Sequence, residues 1–402
     1  MSESDDQKKG LGTRLVGAGR RREWTGPVVN PPVWRASTHF YEDCADMKNG
    51  HPNEDGQFHY GTRGAPTQWA LADALTELEP GAFGTMLYPS GLAALSHSLL
   101  AVLKHGDVLL MTDNAYDPSR ALAGTVLKNM GVETHFFDPL DLDGYADLFC
   151  DRTKAVLLES PGSLTIEVCD IPALTKIARE NGAISLIDNT WASALGFPAL
   201  EYGCDISITA LTKHAGGHAD VLMGSASADE RLYRKLRLSA QRLGTVVSPD
   251  DAALVLRGLR TMELRLKRTT ESALAIAQWL ETRAEVSHIL CPMLPGAPGH
   301  DLWKRDFSGG CGLFSFILAD ANVETRARLV DSLELFDIGY SWGGYESLAI
   351  PFDPGKNRSA SAWPPTEWGT GEHLGVRLAI GLEDPKDLIA DLAQGFAAME
   401  QK

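Results

Sequence analysis

The sequence has little that would tether the chain to a membrane or staple it from outside. No uninterrupted apolar segment is long enough to span a bilayer. The start, Met-Ser-Glu-Ser-Asp-Asp, is acidic and polar, so it resembles neither a signal nor a transit peptide. Six cysteines (Cys44, Cys150, Cys169, Cys204, Cys291 and Cys311) lie far apart, with no C-x-x-C pair. That spacing predicts reduced thiols in a cytoplasmic protein, not a disulfide framework or a zinc site. Basic charge is scarce: 37 Lys and Arg face 53 Asp and Glu, a formal net charge of -16. Nucleic acid and anionic membranes are therefore poor partners. No internal repeat or low-complexity tract is present, which excludes a solenoid.

What is present suits a globular α/β protein. The chain has 402 residues, 44% hydrophobic and 22% charged, too many for one core. From Pro66 onward, helical and strand-like stretches alternate. Helical periodicity covers 67–79, 91–104, about 118–130 and about 172–181. Short apolar runs at 84–88, 108–111, 155–158 and 183–188 predict strands. Such alternation predicts a mostly parallel sheet with helices on both faces. A long helical segment at 249–283 joins this part to a smaller α+β domain, with strands at 313–318 and 376–380 and helices at about 322–334 and 385–399. Asn30-Pro31-Pro32 suits neither helix nor central strand, so residues 1–59 read as an extended arm. The expected division is 1–59, 60–255 and 256–402.

Two strand ends carry the chemistry. The run Ala183-Ile184-Ser185-Leu186-Ile187 ends at Asp188, and a second run, Asp205 to Leu211, ends at Thr212-Lys213 before Gly216-Gly217. Ligands of open α/β sheets bind at strand ends. A lysine alone is usually a solvated surface group. A desolvated lysine beside a carboxylate, however, suits a cofactor with a carbonyl and a ring nitrogen, namely pyridoxal phosphate (PLP). Two other patterns carry less. His214-x3-His218 with Asp220 has metal-ligand types, but Gly216-Gly217 discourage the helix it needs, so no metal is expected. Gly10-x-Gly12 follows no strand and makes no dinucleotide fingerprint.

The segment Asp205-Ile206-x3-Ala210-x-Thr212-Lys213 resembles the lysine motif of the PLP-dependent enzymes of cysteine and methionine metabolism. The resemblance extends from about Leu11 to Phe396 and implies the fold type I architecture of PLP-dependent transferases. It implies that Lys213 carries the cofactor, that Asp188 holds the ring nitrogen, and that Tyr116 stacks on the ring and tunes proton transfer. It also implies that Ser90, Gly91 and Leu92 bind the phosphate through backbone amides, with Thr212 adding its hydroxyl. Tyr60 and Arg63 would reach a partner subunit's cofactor. Read alone, Ser90-Gly91 is an ordinary capped turn, Tyr116 a core tyrosine, and Tyr60-Gly61-Thr62-Arg63-Gly64 a surface loop. The chain departs from the family pattern at Thr62, where arginine is usual, at Leu92 for methionine, at Ala210 for serine, at His214 for an aromatic, and at Ala219 for a small polar residue.

Several stretches resemble one branch, the bacterial cystathionine β-lyases. They are Glu159-Ser160-Pro161-Gly162-Ser163, Gly299 to Phe307, Tyr340 to Leu348 and Arg377 to Asp384. Family members that work at the γ-carbon carry an acid where Tyr340 stands. The resemblance implies that Arg377 clamps the carboxylate of a small amino-acid substrate, helped by Tyr340, Ser341 and Trp342. Without it, Arg377 would read as a strand-edge salt bridge. The implied reaction is β-elimination of L-cystathionine by a homotetramer built as a dimer of dimers with shared sites. Alternatives are other carbon–sulfur lyases or γ-synthases on the same scaffold, or an idle PLP-binding regulatory protein.

Overall fold

A computed structural model of the chain describes residues 9–49, 56–356, 358–361, 363–365, 368 and 373–399. Seven strands form the first sheet: β1 (Gly84–Tyr88), β2 (Val108–Thr112), β3 (Glu133–Phe137), β4 (Thr153–Glu159), β5 (Ile184–Asp188), β6 (Ile206–Ala210) and β7 (Gly224–Ala228). Their order is β1-β7-β6-β5-β4-β2-β3. All pairs are parallel except the two made by β7, which runs antiparallel to β1 and β6. The expected, mostly parallel sheet is therefore present.

Alternation along the strands divides this sheet between two cores. Val108, Leu110, Val156, Leu158 and Ile187 face one core, with Ala70, Leu71 and Ala74 of helix Pro66–Leu78 and Leu174 of helix Ile171–Glu180. Leu109, Met111, Leu157, Leu186 and Ile208 face the other, with Leu95 and Leu99 of helix Gly91–Val102 and Leu232 and Leu236 of helix Glu230–Arg242. Side chains two apart share a face, so each strand supplies both layers.

The first core continues into a second, antiparallel sheet. Its strands are β8 (Val286–Leu290), β9 (Leu313–Leu318), β10 (Leu348–Phe352) and β11 (Gly375–Ala379), in the order β10-β11-β9-β8. Phe314 and Phe316 of β9 share that core with Ile276 of helix Met262–Leu280, Leu329 of helix Val323–Asp331 and Phe396 of helix Pro385–Met399. Continuous burial across both sheets fixes their relative position, and with it the cleft between them.

Three segments differ from the sequence reading. The arm is not wholly extended: Leu11–Gly17 is helical, because Leu11, Leu15 and Ala18 lie on one face that packs against the first core. The stretch at 249–283 is two helices, Pro249–Leu259 and Met262–Leu280, parted at Arg260-Thr261. The helix expected at 118–130 is Asp117–Leu122 followed by a wider, π-type stretch at Ala123–Leu127.

Candidate active site

The C-terminal ends of the parallel strands deliver most of the sequence-predicted residues to one place. Ser90-Gly91 follow β1, Tyr116 follows β2, Asp188 ends β5, and Thr212-Lys213 follow β6. Across the cleft, the second sheet supplies Arg377 from β11, and the loop before β10 supplies Tyr340, Ser341 and Trp342. All of these, with Leu92, line one cavity of about 770 Å³. That size suits a small molecule.

Lys213 is placed by a tight turn: its N–H donates to Ala210 O at 3.1 Å, and Gly217 N–H donates to Lys213 O at 2.7 Å. Gly217 has φ +69, and a Cβ there would meet the Arg265 guanidinium at 1.9 Å. Only glycine serves at that position. The Lys213 amine donates to Ser341 Oγ at 2.5 Å and stands 5.3 Å from the Trp342 ring. Burial pushes it down to about 8; nearby Arg377 adds to the shift and Asp188 opposes it.

Asp188 accepts from Thr190 N–H at 3.0 Å and Thr190 Oγ at 2.5 Å, both on Oδ1. Thr190 Oγ accepts in turn from Ala210 N–H, tying the acid of β5 to β6. Burial raises Asp188, and the Thr190 bonds oppose the shift. Arg377 is buried, donates through Nη2 to Ser341 O at 2.9 Å, and keeps Nε buried with no partner among the described residues. Burial lowers its pKa to about 10, so it stays cationic at neutral pH. Ser341 thus joins amine and guanidinium: its Oγ takes one, its carbonyl the other. Its φ of +83 is rare for a residue with a side chain, the kind of local strain that functional sites retain.

A helix N-terminus completes the cradle. Ser90 caps Gly91–Val102 by accepting from Ala93 N–H at 3.0 Å. A Cβ on Gly91 would meet Ala210 Cβ at 2.6 Å, so glycine is what lets this turn approach β6. The first N–H groups of such a helix suit a phosphate. Thr212 lines the same cavity. Its hydroxyl donates to Met223 O at 3.2 Å and accepts from Met223 N–H at 3.1 Å, which commits its one proton within the chain. Tyr60 is half-exposed and outside the cavity, and Arg63 lines a separate one of about 270 Å³ with Arg21 and Arg237.

Two further groups complete the site. Glu159, at the end of β4, is the register neighbour of Asp188 and accepts from Tyr116 N–H at 2.7 Å. In the sequence Glu159 stands in a motif that gives it no role of its own; an acid closing an apolar strand, as at Asp188, is the signal that points to it. His214, where the family pattern has an aromatic, is buried and pushed down to about 3 by burial, so its ring is neutral. It packs 5.2 Å from Trp342 and donates from Nε2 to Trp191 O at 3.1 Å, doing an aromatic's packing.

These groups fit PLP: an amine of depressed basicity for its carbonyl, an acid with Oδ2 unbonded among the described residues for its ring nitrogen, and helix N–H groups for its phosphate. Comparison with known proteins agrees. Residues 12–397 match the Cys/Met metabolism PLP-dependent enzymes. The chain is 43% identical over 393 residues to the cystathionine beta-lyase MetC of Escherichia coli, covering 97% of this chain and 98% of that one. It is 36% identical over 396 residues to an L-alanine/L-glutamate racemase of Wolbachia pipientis, covering 96% of each. A crystal structure of cystathionine gamma synthase from Xanthomonas oryzae pv. oryzae, in complex with aminoacrylate and cysteine, superposes with a TM-score of 0.87 at 32% identity, covering 98% of this chain and 99% of that one. Two sheets of fold type I, a cradle that fits PLP and a match over nearly the whole length lead to one conclusion: the chain belongs to the Cys/Met metabolism family of PLP-dependent enzymes.

Proposed function

We propose that the protein is a cystathionine β-lyase, splitting L-cystathionine into homocysteine, pyruvate and ammonia. The observation that carries this reading is the convergence of Lys213, Asp188 and Arg377 on one cavity, with aromatic Tyr340 at its mouth. The name of the Escherichia coli relative supports the same branch.

In this reading the backbone of Ser90, Gly91 and Leu92 would hold the phosphate of PLP, Asp188 its ring nitrogen, Tyr116 the ring and Lys213 the carbonyl carbon; the group held there would supply an electron sink for the negative charge left at Cα. The chain's residues do the rest. Arg377 takes the substrate α-carboxylate, for which a planar guanidinium offers two parallel hydrogen bonds. Ser341 holds the Lys213 amine beside that clamp. Once the substrate's α-amine takes the place of Lys213 on the cofactor's carbonyl carbon, Lys213 Nζ is a free amine that removes the Cα proton and returns a proton to the departing sulfur as the Cβ–S bond breaks. Tyr116 tunes that transfer, and Tyr340 and Trp342 wall the cavity. The three-carbon fragment then loses ammonia to water and leaves pyruvate.

The reading includes a cytoplasmic homotetramer in which Tyr60 and Arg63 serve a partner's site. Supporting it, Val29, Trp34, Phe40 and Met47 of the arm are exposed apolar residues, Phe40 almost completely. Among the described residues no helix is long and apolar enough to cross a membrane. It also keeps residues 1–59 as the arm, 60–255 as the cofactor domain and 256–402 as the second domain. The sheets lie on either side of helix Pro249–Leu259, which spans that border. Lys213→Ala tests the scheme: turnover and covalent retention of PLP should both vanish, and full activity in that variant would end it.

A further inference from the structure

Glu159 stands where two active-site loops and the acid of β5 meet. Its Oε2 accepts from Tyr116 N–H at 2.7 Å, where the loop that follows β2 meets helix Asp117–Leu122. Its Oε1 is 2.7 Å from Ser163 Oγ, in the loop that follows β4 and lines the same cavity. Asp188 lies beside it in register on the adjacent strand. The side chain is buried, and no lysine or arginine ion pair reaches it among the described residues. A backbone N–H held by a buried carboxyl is fixed more firmly than one held by water, because no solvent competes for the bond. Tyr116, by contrast, is half-exposed and does not cap its helix with its side chain.

We propose that Glu159 is a positioning residue: its carboxyl ties the Tyr116 backbone and the Ser163 loop to the end of β4, and so sets where the Tyr116 ring stands in the cavity. The inference rests on the reading that Tyr116 packs against PLP.

The chemistry of the pair fits a neutral clamp. Burial, and next the Asp188 carboxylate, push Glu159 up to about 8. The groups facing it are Asp188 on β5, Tyr116 after β2, Ser163 after β4 and, farther off, Arg358 before β11, which itself pairs with Glu167. With the proton on Oε1, the Ser163 hydroxyl turns to accept and Oε2 still receives Tyr116 N–H. Glutamine has the same shape and the same donor and acceptor at the same places.

The test is a double-mutant cycle on the PLP-loaded enzyme, reading kcat and, separately, the absorbance of bound PLP and its dissociation constant. Glu159→Gln is expected to stay within about threefold of the parent in all three. Glu159→Ala is expected to lower kcat 10- to 100-fold and to shift the absorbance of bound PLP. In a Tyr116→Ala background, Glu159→Ala is expected to add less than threefold, because the group it positions is gone. If the two losses multiply, or if Glu159→Gln is as poor as Glu159→Ala, the inference is wrong. If Tyr116→Ala alone leaves kcat, absorbance and PLP affinity unchanged, the reading of Tyr116 fails instead. Should Glu159→Ala not fold, Ser163→Ala loosens the clamp from its other side and is expected to shift the same absorbance; no shift there would overturn the inference.

Discussion

Replacing Arg377 should separate substrate binding from every other property of the site. Arg377 is buried and cationic, its Nη2 is fixed on Ser341 O, and its Nε has no partner among the described residues. The guanidinium is thus oriented before substrate arrives, and the α-carboxylate supplies the acceptors. A hydrogen bond to a charged group contributes about 1.5–3 kcal/mol. Two such bonds give about 3–6 kcal/mol, which is about 10²- to 10⁴-fold in kcat/KM. Arg377→Ala should lose that much, mostly through KM. Arg377→Lys keeps the charge but not the fork, and should lose about one bond's share, 10- to 100-fold. The absorbance of PLP on Lys213 should survive in both. The assay is steady-state pyruvate release over a range of L-cystathionine concentrations. An Arg377→Ala enzyme within threefold of the parent, or a loss confined to kcat with KM unchanged, would refute the clamp.

Other outcomes follow from the same geometry. Asp113, at the end of β2, is buried and accepts from the N–H groups of Ser359, Ala360 and Ser361 at 2.8–3.0 Å and from Arg120 at 2.9 Å. Burial alone would raise its pKa, but these donors hold it well below the usual carboxylate range. Asp113→Ala should cost about 1.5–3 kcal/mol, because the part-buried Arg120 and the N–H groups of Ser359, Ala360 and Ser361 lose a charged acceptor. Since the folded pKa is depressed, that stability is present above the unfolded value near 4 and is lost as pH falls below it. The gap between parent and variant in urea unfolding should therefore be widest near pH 7 and narrow below about pH 4; a gap independent of pH would contradict this. If Tyr60 serves a partner's site, as proposed, mixing inactive Lys213→Ala and Tyr60→Ala subunits should restore activity, because a hybrid interface would then contain one intact site. Subunit exchange without any recovery would rule out sharing.

Much of this arrangement is legible from residues alone where local pattern and burial agree. The runs ending at Asp188 and Thr212-Lys213 are apolar and short, so their strands and the place of their ends are clear. Strand β7, Gly-Ser-Ala-Ser-Ala, is invisible because its residues are chosen for close approach: a Cβ on Gly224 would lie 2.3 Å from Ser90 O. Strand β10 hides behind Pro351, which terminates most strand readings. Arg377 and the Tyr340–Trp342 loop carry no local sign of function; family resemblance singles them out, and only the packing of two sheets brings them to Lys213. Glu159 is missed because its partners, Tyr116 N–H and Asp188, come from other strands. The pairing of the Thr212 hydroxyl with Met223 is likewise not legible in the sequence, because it joins two segments eleven residues apart across the turn.

The most direct test is the keto acid released from L-cystathionine by the purified protein with PLP. The account predicts pyruvate together with homocysteine, as breaking the Cβ–S bond requires. Release of 2-oxobutyrate with cysteine, or recovery of cystathionine intact with only its Cα configuration changed, would contradict it.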